Sequence, residues 1–154
     1  YDIACANSIS PIVYKLNKRQ RVINNVSFKP PFHENIYFIY LNKKQRSIEE
    51  IQNYSNNRAS DSVINEITNI TSMILKCNSI EAYDKLIESH ELIISKLISK
   101  PTIKETLFKD FNGSIKSLGA WGGDMIMVTS HSDPSQYFIE KGYSTIFKFD
   151  ELLV

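Results

Sequence analysis

The chain has 154 residues, 42% hydrophobic and 23% charged, with a formal net charge of +1. That length fits one domain around one core, and the composition is that of an ordinary globular protein. Near neutrality gives no electrostatic case for a nucleic-acid or membrane-surface partner, and no apolar run approaches the ~20 residues of a membrane span. Cys5 and Cys77 make neither a disulfide framework nor a zinc site, so both are expected reduced, in a cytoplasmic compartment. The first residues lack the basic and apolar regions of a secretory signal.

The chain opens at once on apolar and small residues, Tyr1-Asp2-Ile3-Ala4-Cys5-Ala6, without a methionine. It therefore reads as a piece of a longer polypeptide; a processed terminus gives the same pattern. Tyr1 to Ser8 suits one or two helical turns. Pro11 to Leu16 and Arg21 to Phe28 carry β-branched and aromatic residues around the polar turn Asn17 to Gln20, which predicts a hairpin. Lys29-Pro30-Pro31 breaks it. Ile36 to Leu41 is a nearly continuous apolar run, the mark of a buried central strand.

Helices are predicted next. Ser47 with Glu50 forms a capping-box pattern opening a helix at Ile48, and the polar stretch Asn53 to Ser60 reads as a loop. Val63, Ile67, Ile70 and Ile74 recur at helical spacing within Asp61 to Lys76. Ile80, Tyr83, Ile87, Ile94 and Leu97 do so within Ser79 to Ser99, with Pro101 just beyond the end. Thr102 to Phe111 is a shorter helix candidate. Strands follow at Ser114 to Leu118 and Asp124 to Thr129. A helix over Asp133 to Lys141 is closed by Gly142 as its C′ glycine, and Ser144 to Phe149 forms the last strand. The expected fold class is α+β, one domain over residues 1–154, a mainly antiparallel sheet with helices packed on one face.

The densest chemical signal is Lys116-Ser117-Leu118-Gly119-Ala120-Trp121-Gly122-Gly123-Asp124. It holds three of the chain's five glycines between two β-type runs. Clustered glycines allow φ > 0 or a close backbone approach, and successive N–H groups can form an anion nest. A tight glycine hairpin with no ligand fits the spacing equally well. Trp121 suits stacking on a ligand or plugging a sheet edge.

Lys43-Lys44-Gln45-Arg46-Ser47 places three cations after the buried strand and just before a helix start. Side-chain charge, first-turn N–H groups and the Ser47 hydroxyl suit an anionic group; a solvated basic turn is the plainer alternative. Asp2 is a carboxylate beside small apolar residues. It suits a general base or an orienting group, or else a solvated or capping aspartate. Lys18, Arg19 and Arg21 read as solvated turn charge. His33, His90 and His131 show no ligand spacing, so no metal-ligating residue is assigned, and His90 reads as structural. Cys5 has no evident histidine partner, and no nucleophile elbow is present.

The stretch Lys116 to Asp124 resembles the third, C-terminal motif of the GHMP kinases, closest to the phosphomevalonate kinase version, a lysine followed by Gly-Ala-Gly-Gly-Gly-Asp. Trp121 stands where that version has a glycine. Tyr1-Asp2-Ile3-Ala4 is similar to the segment after the family's second glycine-serine stretch, in the wording of a Gly-Tyr-Asp-Ile-Ala subgroup. Tyr40 to Ser47 resembles, more loosely, the strand-to-helix substrate region. The nucleotide-phosphate loop Pro-x-x-x-Gly-Leu-Gly-Ser-Ser-Ala occurs nowhere in the sequence.

The resemblance implies a ferredoxin-like C-terminal domain of a small-molecule kinase, with ATP and Mg²⁺ as cofactors. It implies Asp2 as the catalytic carboxylate and Lys43, Lys44 and Ser47 as acceptor-binding residues. Lys116, Gly119, Ala120, Trp121, Gly122, Gly123 and Asp124 become the phosphate-facing loop. The implied partners are a small anionic substrate, mevalonate or phosphomevalonate in isoprenoid precursor synthesis, and a missing N-terminal half without which the chain is inactive. A sugar kinase, the family's ATP-dependent decarboxylase, and a non-catalytic α+β ligand-binding module are the other readings.

Overall fold

The computed structural model describes residues 1–17, 20–42, 59–119 and 124–152; for Asp2 and Asn17 it describes the backbone only. Helix α1 (Asp2–Ala6) leads into a hairpin of β1 (Ile12–Asn17) and β2 (Gln20–Asn25). The strands pair antiparallel from Ile12↔Asn25 to Asn17↔Gln20, in the register expected for a turn at Asn17 to Gln20. The hairpin stops at Asn25, earlier than its apolar residues predict. Val26 still donates its N–H to the Pro11 carbonyl, but Phe28 leaves the ladder to pack at a tilt against Phe149.

The second sheet carries the core. Its order is β4-β5-β3-β6, with β3 at Ile36–Tyr40, β4 at Ile115–Leu118, β5 at Met125–Thr129 and β6 at Ile146–Lys148. Every pairing is antiparallel. β3 is central and both its faces are covered, which is why its sequence is apolar without alternation. Ile36 and Phe38 join Phe32, Ile80, Tyr83, Ile87, Met127 and Phe149 on one face. Tyr37, Ile39 and Leu41 join Phe108, Phe111, Ile115, Ile126, Val128 and Phe138 on the other.

The long helices α2 (Asp61–Ile74) and α3 (Ile80–Ile98) belong to the first of these faces. α3 presents Ile80, Tyr83 and Ile87 to the sheet, and α2 packs on α3. Ser60 and Ser79 cap them by accepting the N–H groups of Val63 and Ala82. The opposite face is roofed by aromatic rings instead. Phe108, Phe138 and Tyr143 meet edge to face, and Phe111 stacks beside them. The structure is thus an α+β fold with a mainly antiparallel sheet.

Two short helices show how local chemistry sets boundaries. α5 (Ser135–Glu140) ends in a Schellman arrangement, with Gly142 N–H to Ile139 and Tyr143 N–H to Phe138, and Gly142 at φ 90° as its C′ glycine. α4 (Ile103–Leu107) is shorter than the predicted Thr102 to Phe111 because Phe108 leaves helical geometry and fills the core. Phe149 similarly ends β6 and opens a last turn, α6 (Phe149–Leu152).

α4 opens on a complete capping box: Glu105 N–H donates to the Thr102 hydroxyl, and Thr102 N–H donates to the Glu105 carboxylate at 2.8 Å. Thr102→Ala should cost about 1 kcal/mol in chemical denaturation at neutral pH. The bonds from Thr102 hold the Glu105 carboxyl below its ordinary 4.5. A lowered folded value means that the box contributes above pH 4.5 and fades as pH falls through the folded value. The gap between Thr102→Ala and the parent should therefore shrink from pH 7 to pH 3 in parallel melts.

Candidate functional site

The sheet brings two of the sequence motifs to one corner. β3 ends at Tyr40, opposite Met125, and Met125 lies opposite Leu118. Leu41 N–H donates to the Asp124 carbonyl at 2.8 Å, so the exit of β3 is tied to the last residue of the glycine loop. Two residues with positive φ stand here: Asn42 at 55° and Gly119 at 70°. Both turn the chain sharply off the sheet. The predicted site residues Lys43, Lys44 and Ser47, and Ala120, Trp121, Gly122 and Gly123, all lie outside the described residues.

Gly119 is exposed, and an added Cβ would meet nothing within 4 Å. Among the described residues only the positive φ asks for glycine. Gly119→Ala should cost about 1–2 kcal/mol, the left-handed penalty alone, in urea unfolding. A larger loss would mean that the loop packs on something the alanine displaces.

Lys116 is already engaged. Its Nζ lies 3.2 Å from Glu91 Oε1 and 3.2 Å from His90 Nδ1. The other Glu91 oxygen accepts the Ser117 N–H at 3.1 Å. Lysine, histidine and glutamate thus meet between α3 and β4, with Glu91 only 3% exposed. The Ser117 hydroxyl is buried, with no hydrogen-bond partner among the described residues. Asp124 is exposed.

Asp2 begins α1, which forms a wall of a cleft of about 640 Å³ with Tyr14, Arg21, Ile23 and Asn25 of the hairpin. A second cleft of about 650 Å³ joins Cys5 of α1 to Phe28, Phe149 and Leu152. Phe149 follows Lys148, which lies opposite Tyr37. α1 therefore borders the Ile36 end of β3, whereas the glycine loop leaves from the Tyr40 end. Lys29 bonds Asp150 at 2.8 Å and holds that carboxyl below its ordinary range.

His33 bonds the Pro30 carbonyl and faces Asp150, and His131 is exposed. Among the described residues no three His, Cys, Asp or Glu converge on a metal-sized site, and no helix is long and apolar enough to cross a membrane. Both cysteines are free. The residue that sequence reasoning passed over is Glu91. Its signal was legible: it falls four residues after Ile87, on the buried stripe of α3, where an acid needs a partner.

No protein-family model and no curated protein matches the sequence. Among solved structures, the L. major mevalonate kinase in complex with R-mevalonate is similar, with a TM-score of 0.63 at 11% identity. The match covers 89% of this chain and 47% of that one, so the chain spans about half the length of the kinase it resembles. At that identity the likeness is one of fold: the chain has a GHMP-kinase-like fold, of the kind found in the C-terminal domain of that family.

Proposed function

We propose that the chain is the C-terminal part of a cytoplasmic GHMP-type kinase of the Gly-Tyr-Asp-Ile-Ala subgroup. The proposed reaction moves the γ-phosphoryl of ATP to a small anionic metabolite, with mevalonate or phosphomevalonate as the acceptor. The observation that carries this reading is the Leu41–Asp124 hydrogen bond, which ties the end of β3 to the residue that closes the glycine motif. In the proposed enzyme the cations of the Lys43 to Ser47 segment and the N–H groups of the glycine motif serve the anionic acceptor and the phosphate. Similarity in fold to a mevalonate kinase supports it.

Phosphoryl transfer depends mainly on positioning and charge neutralisation, so a corner of this kind is the chemistry required. Lys43, Lys44 and Ser47 bind the anionic end of the acceptor. Gly119, Ala120, Trp121, Gly122, Gly123 and Asp124 form the loop whose N–H groups face phosphate oxygens. Asp2 takes or orients the acceptor hydroxyl proton. Mg²⁺, when bound, neutralises phosphate charge; it needs one or two carboxylates beside the phosphates, and Asp2 is the carboxylate the resemblance offers. In this reading α1 must meet the corner in the assembled enzyme, which is the part of the missing N-terminal half.

A second reading, a non-catalytic ligand-binding module, is favoured by one observation: the Lys116 ammonium is spent on Glu91 and His90. The deciding experiment is ATP consumption by the longer polypeptide offered mevalonate, phosphomevalonate and a sugar panel, with the 154-residue chain as control. Turnover on a mevalonate-type acceptor, absent from the control, supports the first reading. Turnover on sugars alone moves the assignment within the family. A folded, ATP-binding polypeptide that turns over nothing supports the second.

A further inference from the structure

Among the described residues β4 is an edge strand, and it runs into Gly119, where the glycine motif turns. An edge strand has β5 on one side only, so its outward N–H groups must find other partners. α3 supplies them. Glu91 Oε2 accepts the Ser117 N–H, and Glu91 Oε1 holds the Lys116 ammonium. An ammonium only donates, so the His90 Nδ1 at 3.2 Å from it accepts, which puts the ring proton on Nε2. Seven residues earlier on the same helix, Asp84 accepts the Thr129 hydroxyl, and that oxygen accepts the Ser114 N–H at 3.1 Å. Glu91 thus holds β4 to α3 directly, and Asp84, two helical turns away, reaches the residue before β4 through Thr129 of β5.

We propose that Glu91 is the positioning residue of the glycine loop. It fixes Lys116 and the Ser117 amide two residues before the Gly119 turn, and Lys116 consequently serves the strand rather than a phosphate. The phosphate-facing role of the loop itself rests on the function proposed above. Glu91 is 3% exposed, and a buried carboxylate needs a cation and donors. Lys116 and Ser117 supply both, so releasing Lys116 to a phosphate would leave Glu91 buried and uncompensated.

The test uses the 154-residue chain and amide exchange followed by NMR. Glu91→Ala should raise exchange at Ser117 by about tenfold or more, as for loss of a hydrogen bond to a charged acceptor, with core amides such as Ile39 unchanged. Glu91→Gln should keep Ser117 protected, because its amide oxygen accepts the same bond, while Lys116 is released.

The second arm titrates magnesium pyrophosphate and follows the Gly119 amide. Glu91→Ala should weaken the response, whereas Lys116→Met paired with Glu91→Gln should keep it. That double variant leaves no buried charge unpaired, and with Glu91→Gln it carries the comparison if Glu91→Ala fails to fold. Unchanged Ser117 exchange in Glu91→Ala, or a response lost with Lys116 and kept without Glu91, overturns the proposal. A parent chain whose Gly119 amide ignores pyrophosphate counts against the phosphate reading of the loop, and the exchange arm still decides the role of Glu91.

Discussion

Asp2→Asn in the longer polypeptide is expected to lower kcat by about 10²–10⁴-fold, the range removed with a positioned general base. Asparagine keeps the shape and removes the proton acceptor, so KM for ATP should stay near its parent value. Stability should hardly change. α1 is five residues long, so little folding energy rests on this turn. Substitutions at such sites usually fall within about 0.5 kcal/mol. The measurement is steady-state kinetics beside a thermal melt of the same preparation. An unchanged kcat would remove Asp2 from the mechanism. It would also fit the position of α1 at the Ile36 end of β3, away from the glycine corner.

Gly113→Ala should be the most damaging single-methyl change in the described structure. A Cβ there would stand 2.0 Å from the Thr129 carbonyl oxygen and 2.9 Å from the Phe111 ring. Neither neighbour is free to retreat. Thr129 is held by its N–H to the Ser114 carbonyl and by its hydroxyl to Asp84, and Phe111 is packed on Phe138. Overpacking a tight site costs about 1–3 kcal/mol and sometimes more; with backbone as the obstacle, the expected loss is at the top of that range. Urea unfolding of Gly113→Ala and Gly119→Ala side by side separates the two causes. Crowding acts at Gly113 and positive φ at Gly119, so the Gly113 variant should be the worse. Equal losses would refute the crowding account.

β3 was legible as an unbroken apolar run covered on both faces, the two long helices by the period of their apolar residues, and the hairpin by β-branched residues around a polar turn. What the period could not show was where a chain leaves an element to satisfy a distant contact. Phe108 is apolar at a helical position, yet it abandons the helix because the aromatic roof needs its ring. Gly113 carries no local mark, since its requirement is set by a carbonyl sixteen residues away in sequence. Of the candidate site, the glycine motif and the basic exit of β3 were readable as separate signals. That β3 ends beside the strand ends flanking the glycine motif came only with the antiparallel register. Lys116 was readable as a cation, but its neighbour Glu91 lies on another element, so its ion pair was not.

The hairpin has one further consequence. All six residues of β2 are exposed, and among the described residues the ladder has two strands only. Two strands alone are marginally stable in water, and an open edge templates pairing with a neighbouring molecule. Laboratory yield of the isolated segment should therefore be governed by concentration more than by the strength of its core. Material that is well folded when dilute should cloud or form higher-order species when concentrated. Charge reversal on the outer edge of β2, or a third strand supplied in trans, is the remedy this architecture suggests.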